Sequence, residues 1–357
     1  MNIERVELYR LKIPLKQPYK IATAVMNAFD STVVVIRSEG REGLGEAMAD
    51  IPGYFWETAD EVWKFARHEG PRILGLSASE ARSSIAAHVA DLPCAATPFL
   101  TALEMLAGHP LLTPPPESCT VPMVGILQAN DAEGISEEVE DFIARGLDTI
   151  KIKVGFDVEG DVERVTIAQD KIRGRTRIRI DANQGYTFPQ AKEFVRNVPP
   201  GGIEFLEQPL KEGEWKAMAE LARISPIPLG LDESIYGLAA VEKAKKLGCA
   251  RFVKFKLMKM GSAGALAEAI EASRKMGLEV ILGNGAAGEI SCCQEALVAA
   301  RMKTRTGEMN GFLKIGDSIL AEEIRTEGGK ILLRPDHRLR LDRRKVEKYA
   351  LDLCVLT

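Results

Sequence analysis

Lysines and acids stand at the ends of several short apolar runs in this chain. Thr149-Ile150-Lys151-Ile152-Lys153-Val154-Gly155 carries two lysines two residues apart; Asp181, Glu207 and Asp232 each end such a run; Lys254 and Lys256 repeat the lysine pair. β-Branched residues dominate the first run and a glycine closes it, which is the pattern of a strand. Alternation sets Lys151 and Lys153 on one face, and Ile150, Ile152 and Val154 on the other. Two lysines on a buried strand are costly. The plainer reading, a solvent-facing strand of an antiparallel sheet, is disfavoured by the acids farther along the chain. These carboxylates are separated by 26 and then 25 residues, one for each strand–helix unit. Aimed at one point, they would raise one another's pKa unless a cation neutralised them. A hard divalent ion with oxygen ligands, Mg²⁺, suits that role. Each acid alone reads as a strand-end residue capping the next helix; three at matching positions favour the metal. A lysine near cations, or partly desolvated, can act as a base near neutral pH. Metal plus lysine is the combination that removes a proton α to a carboxylate. A base on each face permits deprotonation from one side and reprotonation from the other. Asn183 reads equally as a contact beside Asp181 and as a turn residue in Asn183-Gln184-Gly185.

The elements that must position these groups can be read from the spacing. Beyond Pro114-Pro115-Pro116, a stiff linker, short apolar runs alternate with amphipathic helices every 25 residues or so, the βα unit repeated. The runs are Val121–Leu127, Thr149–Val154, Arg177–Asp181, Ile203–Glu207, Pro228–Asp232, Phe252–Leu257, Glu279–Gly283 and, less regularly, Gly307–Phe312. Thr187 with Gln190 resembles a capping box, and Gly146 sits where a helix C-cap glycine belongs. Eight strands predict an α/β fold of TIM-barrel type, with catalytic groups at the strands' C-terminal ends. No GxGxxG follows any strand, so a dinucleotide site on an open sheet is not supported. Before the linker, strands over Ile3–Leu15 and Ser31–Ser38, a third at Leu44–Ala47, and helical periodicity from Glu57 to Ala107 predict a small α+β unit. The expected divisions are 1–116, 117–320, and a tail 321–357 that packs back on the first unit, with Lys330–Leu333 as a strand. A net charge of −4 with no basic run argues against nucleic acid and membrane surfaces as partners. Six cysteines without CxxC spacing, no signal-peptide pattern and no membrane-spanning run lead to the expectation of a reduced, cytoplasmic protein.

In combination the motifs resemble the enolase superfamily, in its muconate lactonizing enzyme subgroup, most of all the dipeptide epimerases and o-succinylbenzoate synthases. The stretches that carry the resemblance are Lys151-Ile152-Lys153-Val154-Gly155, Ile180-Asp181-Ala182-Asn183, Leu206-Glu207-Gln208-Pro209, Leu231-Asp232-Glu233-Ser234 and Lys256-Leu257-Met258-Lys259-Met260-Gly261. Gly43-Leu44-Gly45-Glu46-Ala47 and Pro52-Gly53 with Trp56-Glu57-Thr58 extend it towards the N-terminus. The resemblance implies a (β/α)7β barrel capped by an α+β domain built from both ends of the chain. It implies Asp181, Glu207 and Asp232 as Mg²⁺ ligands, Lys153 and Lys256 as acid/base catalysts on opposite faces of the substrate, and Lys151 beside the substrate carboxylate. Loops near Tyr19–Phe29 and Pro52–Trp56 would close over the site, and a homo-oligomer is expected.

Histidine gives an independent check. His68, His88, His109 and His337 all lie outside the expected barrel, so the His-Asp dyad of the mandelate racemase branch is absent and lysine must move the protons. Three departures bear on the substrate. Glu308-Met309-Asn310 replaces the Asp-x-Asp that holds a substrate ammonium in dipeptide epimerases. Gly283-Asn284-Gly285-Ala286-Ala287 replaces a stretch ending in glutamate. Lys254 stands where the family commonly has asparagine; it adds charge towards an acidic substrate or pairs with a neighbouring acid. Asn183, Lys254, Asn284, Glu308, Asn310 and Tyr54 are candidate substrate contacts, with a barrel-rim loop and an interdomain packing cluster as the alternatives for Glu308/Asn310 and Tyr54. The expected function is Mg²⁺-dependent racemisation or epimerisation α to the carboxylate of an N-substituted amino acid or dipeptide-like acid. Dehydration or cycloisomerisation in the same site is the second reading; a Schiff-base lyase or aldolase and a non-catalytic barrel are readings of other classes.

Overall fold

A computed structural model describes residues 2–21, 24–49 and 55–357; Tyr54, Pro52 and Gly53 lie outside them. The barrel strands are parallel and short. After β4 (Cys119–Pro122) they run β5 (Gly125–Leu127), β6 (Thr149–Lys153), β7 (Arg177–Asp181), β8 (Ile203–Glu207), β9 (Leu229–Leu231), β10 (Phe252–Phe255) and β11 (Glu279–Leu282). From β5 to β11 they hydrogen-bond in sequence order as one seven-stranded sheet. Helices alternate with them, among them Ala132–Ala144, Val158–Ile172, Phe188–Asn197, Trp215–Ile224, Leu238–Leu247, Ala263–Lys275 and Glu289–Met302. The helix Phe188–Asn197 starts at the Thr187/Gln190 capping box, whose Thr187 N–H donates to Gln190 Oε1 at 2.9 Å.

The first and last expected strands take other forms. The Val121–Leu127 run splits, and its first part, β4, pairs antiparallel with a strand of the tail. Gly307–Phe312 holds no strand, and Gly311–Leu313 is a 3₁₀ turn. Its first residues still join the two edges of the sheet: Glu308 N–H donates to Leu282 O at 3.0 Å, and Val124 N–H to Gly307 O at 2.9 Å. Gly307 itself cannot carry a side chain, because a Cβ there would lie 2.6 Å from Leu282 O. The barrel floor holds its own apolar cluster of Phe205, Phe252 and Ile281. Fully buried Arg179 closes it from the side, donating to Glu204 at 2.7 Å and Thr306 O at 2.7 Å.

The cap is a four-stranded antiparallel sheet. Its strands β1 (Arg5–Ile21), β2 (Ala24–Ser38) and β3 (Arg41–Ala47) are joined at one edge by the tail strand Ala350–Leu356, which pairs with β1. The hairpin of β1 and β2 runs farther than the sequence suggests, and its far end carries Tyr19 and Met26 over the barrel. The expected helical stretch is three helices, Ala59–Ile73, Ala78–Ala86 and Pro93–Leu106. The remaining tail strands, Arg325–Glu327 and Lys330–Leu333, form a small sheet with β4. No helix among the described residues is long and apolar enough to cross a membrane.

Candidate active site

The lysines and acids at the strand ends converge on the C-terminal face of the barrel, joined by ion pairs. Lys151 Nζ lies 2.7 Å from Asp181, 3.1 Å from both oxygens of Glu207 and 2.5 Å from Glu308. Lys153 Nζ donates to Asp181 Oδ2 and Asn183 Oδ1, each at 2.6 Å. Lys254 Nζ lies 3.0 Å from Glu207, 2.8 Å from Glu308 and 3.3 Å from Asp232. Lys256 Nζ donates to both oxygens of Asp232 at 2.7 Å. All these side chains are buried except that of Lys153, which is 12% exposed. Burial alone would lower Lys151, Lys153 and Lys254, but the surrounding carboxylates outweigh it and hold all three above the ordinary lysine range. For Lys256, burial and the nearby Lys259 push the amine well below that range. Burial opposes ionisation of Asp181 and Glu308 as well, yet the lysines hold both below the usual carboxylate range. Glu207, buried beside Asp181, is pushed up to about 8 despite Lys151 and Lys254.

Backbone contacts fix these groups in place. The loop after Lys153 is held by Asp161, which accepts from the N–H groups of Gly155 and Phe156 and from the Tyr186 hydroxyl. Arg164 donates to the Lys153 carbonyl at 2.7 Å. Gln208 ties the ends of β8 and β9 together: its Oε1 accepts from Asp232 N–H and Ser234 N–H, and its Nε2 donates to Ser234 Oγ. Lys256 precedes a single helical turn, Leu257–Met260, whose first N–H donates to Glu295 at 2.7 Å. Asn183 is both a turn residue and a lysine partner. Its φ of +40° is one asparagine tolerates, and its Nδ2 donates to Glu233 Oε1 at 3.0 Å.

The other candidate contacts are more engaged than the sequence suggests. Asn310 Nδ2 donates to Val124 O and its Oδ1 accepts from Lys314 Nζ; Asn284 Oδ1 accepts from Ala286 N–H. With Tyr19, Met26, Lys151, Lys153 and Lys254, Asn284 lines a cavity of only about 20 Å³, room for about one water. Larger clefts flank it: one of about 720 Å³ reaches Lys153, and one of about 1060 Å³ reaches Asn183. Glu233, Lys259 and Lys314 are charged residues of the site that the sequence reading missed. Lys259 donates to the Asp232 carbonyl at 3.0 Å with its ammonium over the Tyr236 ring. Glu233 and Lys259 stand inside the family-like motifs; nothing local marks Lys314, which arrives from the segment after Asn310.

The oxygen chemistry of Asp181, Glu207 and Asp232 suits a hard cation, but their arrangement does not. Each is already bonded to one or more ammonium groups. Among the described residues no three acids are grouped so as to hold a metal ion. The three carboxylates as placed therefore do not fit Mg²⁺.

Residues 134–337 match the family model "Enolase C-terminal domain-like", more than half of the chain. The chain belongs to that family. Its similarities within the enolase superfamily extend over nearly the full length. It is 25% identical over 333 residues to the N-succinyl-L-Arg/Lys racemase of Bacillus cereus, covering 89% of this chain and 90% of that one. It is 26% identical over 357 residues to muconate cycloisomerase 1 of Rhodococcus opacus, covering 93% and 94%. The crystal structure of the Bacillus cereus racemase superposes with a TM-score of 0.89 at 21% identity, covering 100% of both chains. That of a dipeptide epimerase from Cytophaga hutchinsonii, complexed with Mg and the dipeptide D-Ala-L-Val, gives 0.87 at 19% identity, again covering 100% of both. This enolase-superfamily member has the fold of its family and is an enzyme, of the racemase/epimerase or the lyase/cycloisomerase kind.

Proposed function

We propose that this enzyme abstracts the proton α to a carboxylate and returns it to the same carbon, racemising or epimerising an N-substituted amino acid or dipeptide-like acid. The observation that carries this reading is the placement of Lys153 and Lys256 at the ends of β6 and β10, with the acids of β7, β8 and β9 between them. One lysine Nζ takes the α-proton, and the C–H electron pair moves into the carboxylate to give an enediolate. The other lysine delivers a proton from the opposite face, so no atom is gained or lost. Lys151 and Lys254 present ammonium groups towards the developing negative charge, the kind of preorganised stabilisation that counts most in a dry site. Asp181, Asn183 and Asp232 hold the two catalytic amines by hydrogen bonds.

An uncharged substrate nitrogen is favoured by the state of Glu308 and Asn310. Glu308 is occupied by Lys151 and Lys254, and Asn310 by Val124 O and Lys314. A free α-ammonium would thus meet no available anion at those two residues. Lys254, Asn284, Glu308 and Asn310 are proposed to shape the pocket around the substrate rather than to bind an amine. The test is a panel of N-acyl amino acids, dipeptides and hydroxyacids incubated with the enzyme in ²H₂O and followed by mass spectrometry. Deuterium should enter Cα starting from either antipode of the true substrate. An alkene or lactone product with no wash-in would replace racemisation by dehydration or cycloisomerisation.

A further inference from the structure

We propose that the Lys254 ammonium is the resident cation of the carboxylate cluster and stands in place of a divalent metal. An ammonium has three protons to donate, and Lys254 has three carboxylates around it. They come from different parts of the barrel: Glu207 at 3.0 Å from the end of β8, Asp232 at 3.3 Å just past β9, and Glu308 at 2.8 Å from the segment that closes the sheet. Two of these three, Glu207 and Asp232, belong to the set a metal would use. Lys254 is 3% exposed and rises from β10 inside the barrel, so its charge stays within the cluster.

Within the closest ion pairs the formal charges match one for one. Ion pairs of 3.3 Å or shorter join four lysines, Lys151, Lys153, Lys254 and Lys256, to four acids, Asp181, Glu207, Asp232 and Glu308. A divalent ion added to this set would leave two uncompensated positive charges in a dry interior. It would also have to take oxygens at 2.0–2.1 Å in octahedral order, oxygens now committed to ammonium protons. Removing the Lys254 charge does the reverse: it takes one ammonium partner from each of Glu207 and Asp232, which keep Lys151 and Lys256 respectively, and leaves one net negative charge to be compensated. The inference rests on the proton-abstraction reading only for what the ammonium does in turnover, namely to face the enediolate. The identity of the cation is a separate matter with its own readout.

The test is Mn²⁺ titration of the whole, EDTA-stripped protein, followed by the electron paramagnetic resonance signal of free Mn²⁺ and read without substrate. The wild-type protein should bind no Mn²⁺ at this site below about 1 mM, and Lys254→Asn should create one Mn²⁺ site per chain at least roughly tenfold tighter. Adding Asp181→Asn to that variant should abolish the new site. Lys254→Met, which keeps the length of the stem and removes the charge, serves as a second variant, and circular dichroism establishes that the variants are folded. One tight Mn²⁺ site in the wild-type chain, displaced by Mg²⁺ and lost in Asp181→Asn, would overturn the proposal. So would folded Lys254→Asn and Lys254→Met proteins that both bind none. Because no substrate enters the titration, its result is independent of the deuterium experiment.

Discussion

Lys153 and Lys256 are placed alike on their strands but differ in access. Lys153 borders the cleft of about 720 Å³, whereas Lys256 is 0% exposed with both Asp232 oxygens as partners. Lys153 can therefore meet a substrate side-on, while Lys256 must release Asp232 to reach a carbon. If the two serve opposite faces, removing either should cut racemisation by about 10²–10⁴, the usual weight of a positioned acid or base. The informative readout is the half-reaction. Lys153→Ala and Lys256→Ala should each retain deuterium wash-in from one antipode only, and from opposite antipodes. Both variants exchanging the same antipode would refute the two-face assignment. At this scale, the residue types at strand ends were legible because spacing of one acid per βα unit survives in the chain. Their partners were not. The sequence argument required a cation to hold three acids together, and only the folded barrel shows that lysines from β6 and β10 reach all of them.

Among the elements, the contact between β3 and the helix Pro93–Leu106 explains why Gly43-Leu44-Gly45 alternates as it does. A Cβ at Gly43 would lie 1.9 Å from Ala102 O, and one at Gly45 would lie 1.9 Å from Pro98 O. Both obstacles are helix backbone, which cannot turn aside as a side chain can, so the strand packs directly on the helix. Gly43→Ala or Gly45→Ala should force the two apart and cost about 1–3 kcal/mol or more, as overpacking does. Gly201→Ala, where a Cβ meets nothing within 4 Å, is the control. Urea unfolding would measure both, and equal midpoints for all three variants would refute the close-packing account. The barrel's elements were legible from alternation and period, because helix and strand patterns are local. The closing segment was not. At Gly307–Glu308 the chain makes only a few hydrogen bonds to both sheet edges before a 3₁₀ turn, and a partner chosen across the barrel leaves no period in the sequence. The split of Val121–Leu127 has the same origin, since β4 is drawn away by the distant Lys330–Leu333.

For the whole molecule, the joint between cap and barrel is polar and buried, and it should make stability depend on pH. Glu46, at the end of β3, accepts from Ser291 N–H at 3.1 Å, and its backbone carbonyl accepts from Ser291 Oγ at 2.8 Å. Gln294 donates to Leu44 O one helical turn on. The carboxyl presses on the barrel so closely that a Cβ at Gly288 would lie 1.8 Å from Glu46 Oε1. Burial first, with Glu289 adding to it and the Ser291 N–H opposing, pushes Glu46 from 4.5 to about 7. The folded protein thus holds this proton over a range where the unfolded chain has lost it. Linkage then requires stability to fall as pH rises from about 4.5 to about 7 and to level off above, by on the order of 3 kcal/mol from this group. Other buried acids add slopes of their own, so the quantity to measure is a difference. Glu46→Gln keeps the shape without the ionisation. Its urea stability relative to the wild type should climb between pH 5 and pH 7 and exceed it at pH 8. Parallel wild-type and variant curves across that interval would mean that Glu46 stays charged in the joint and that the cap is held to the barrel by an anion.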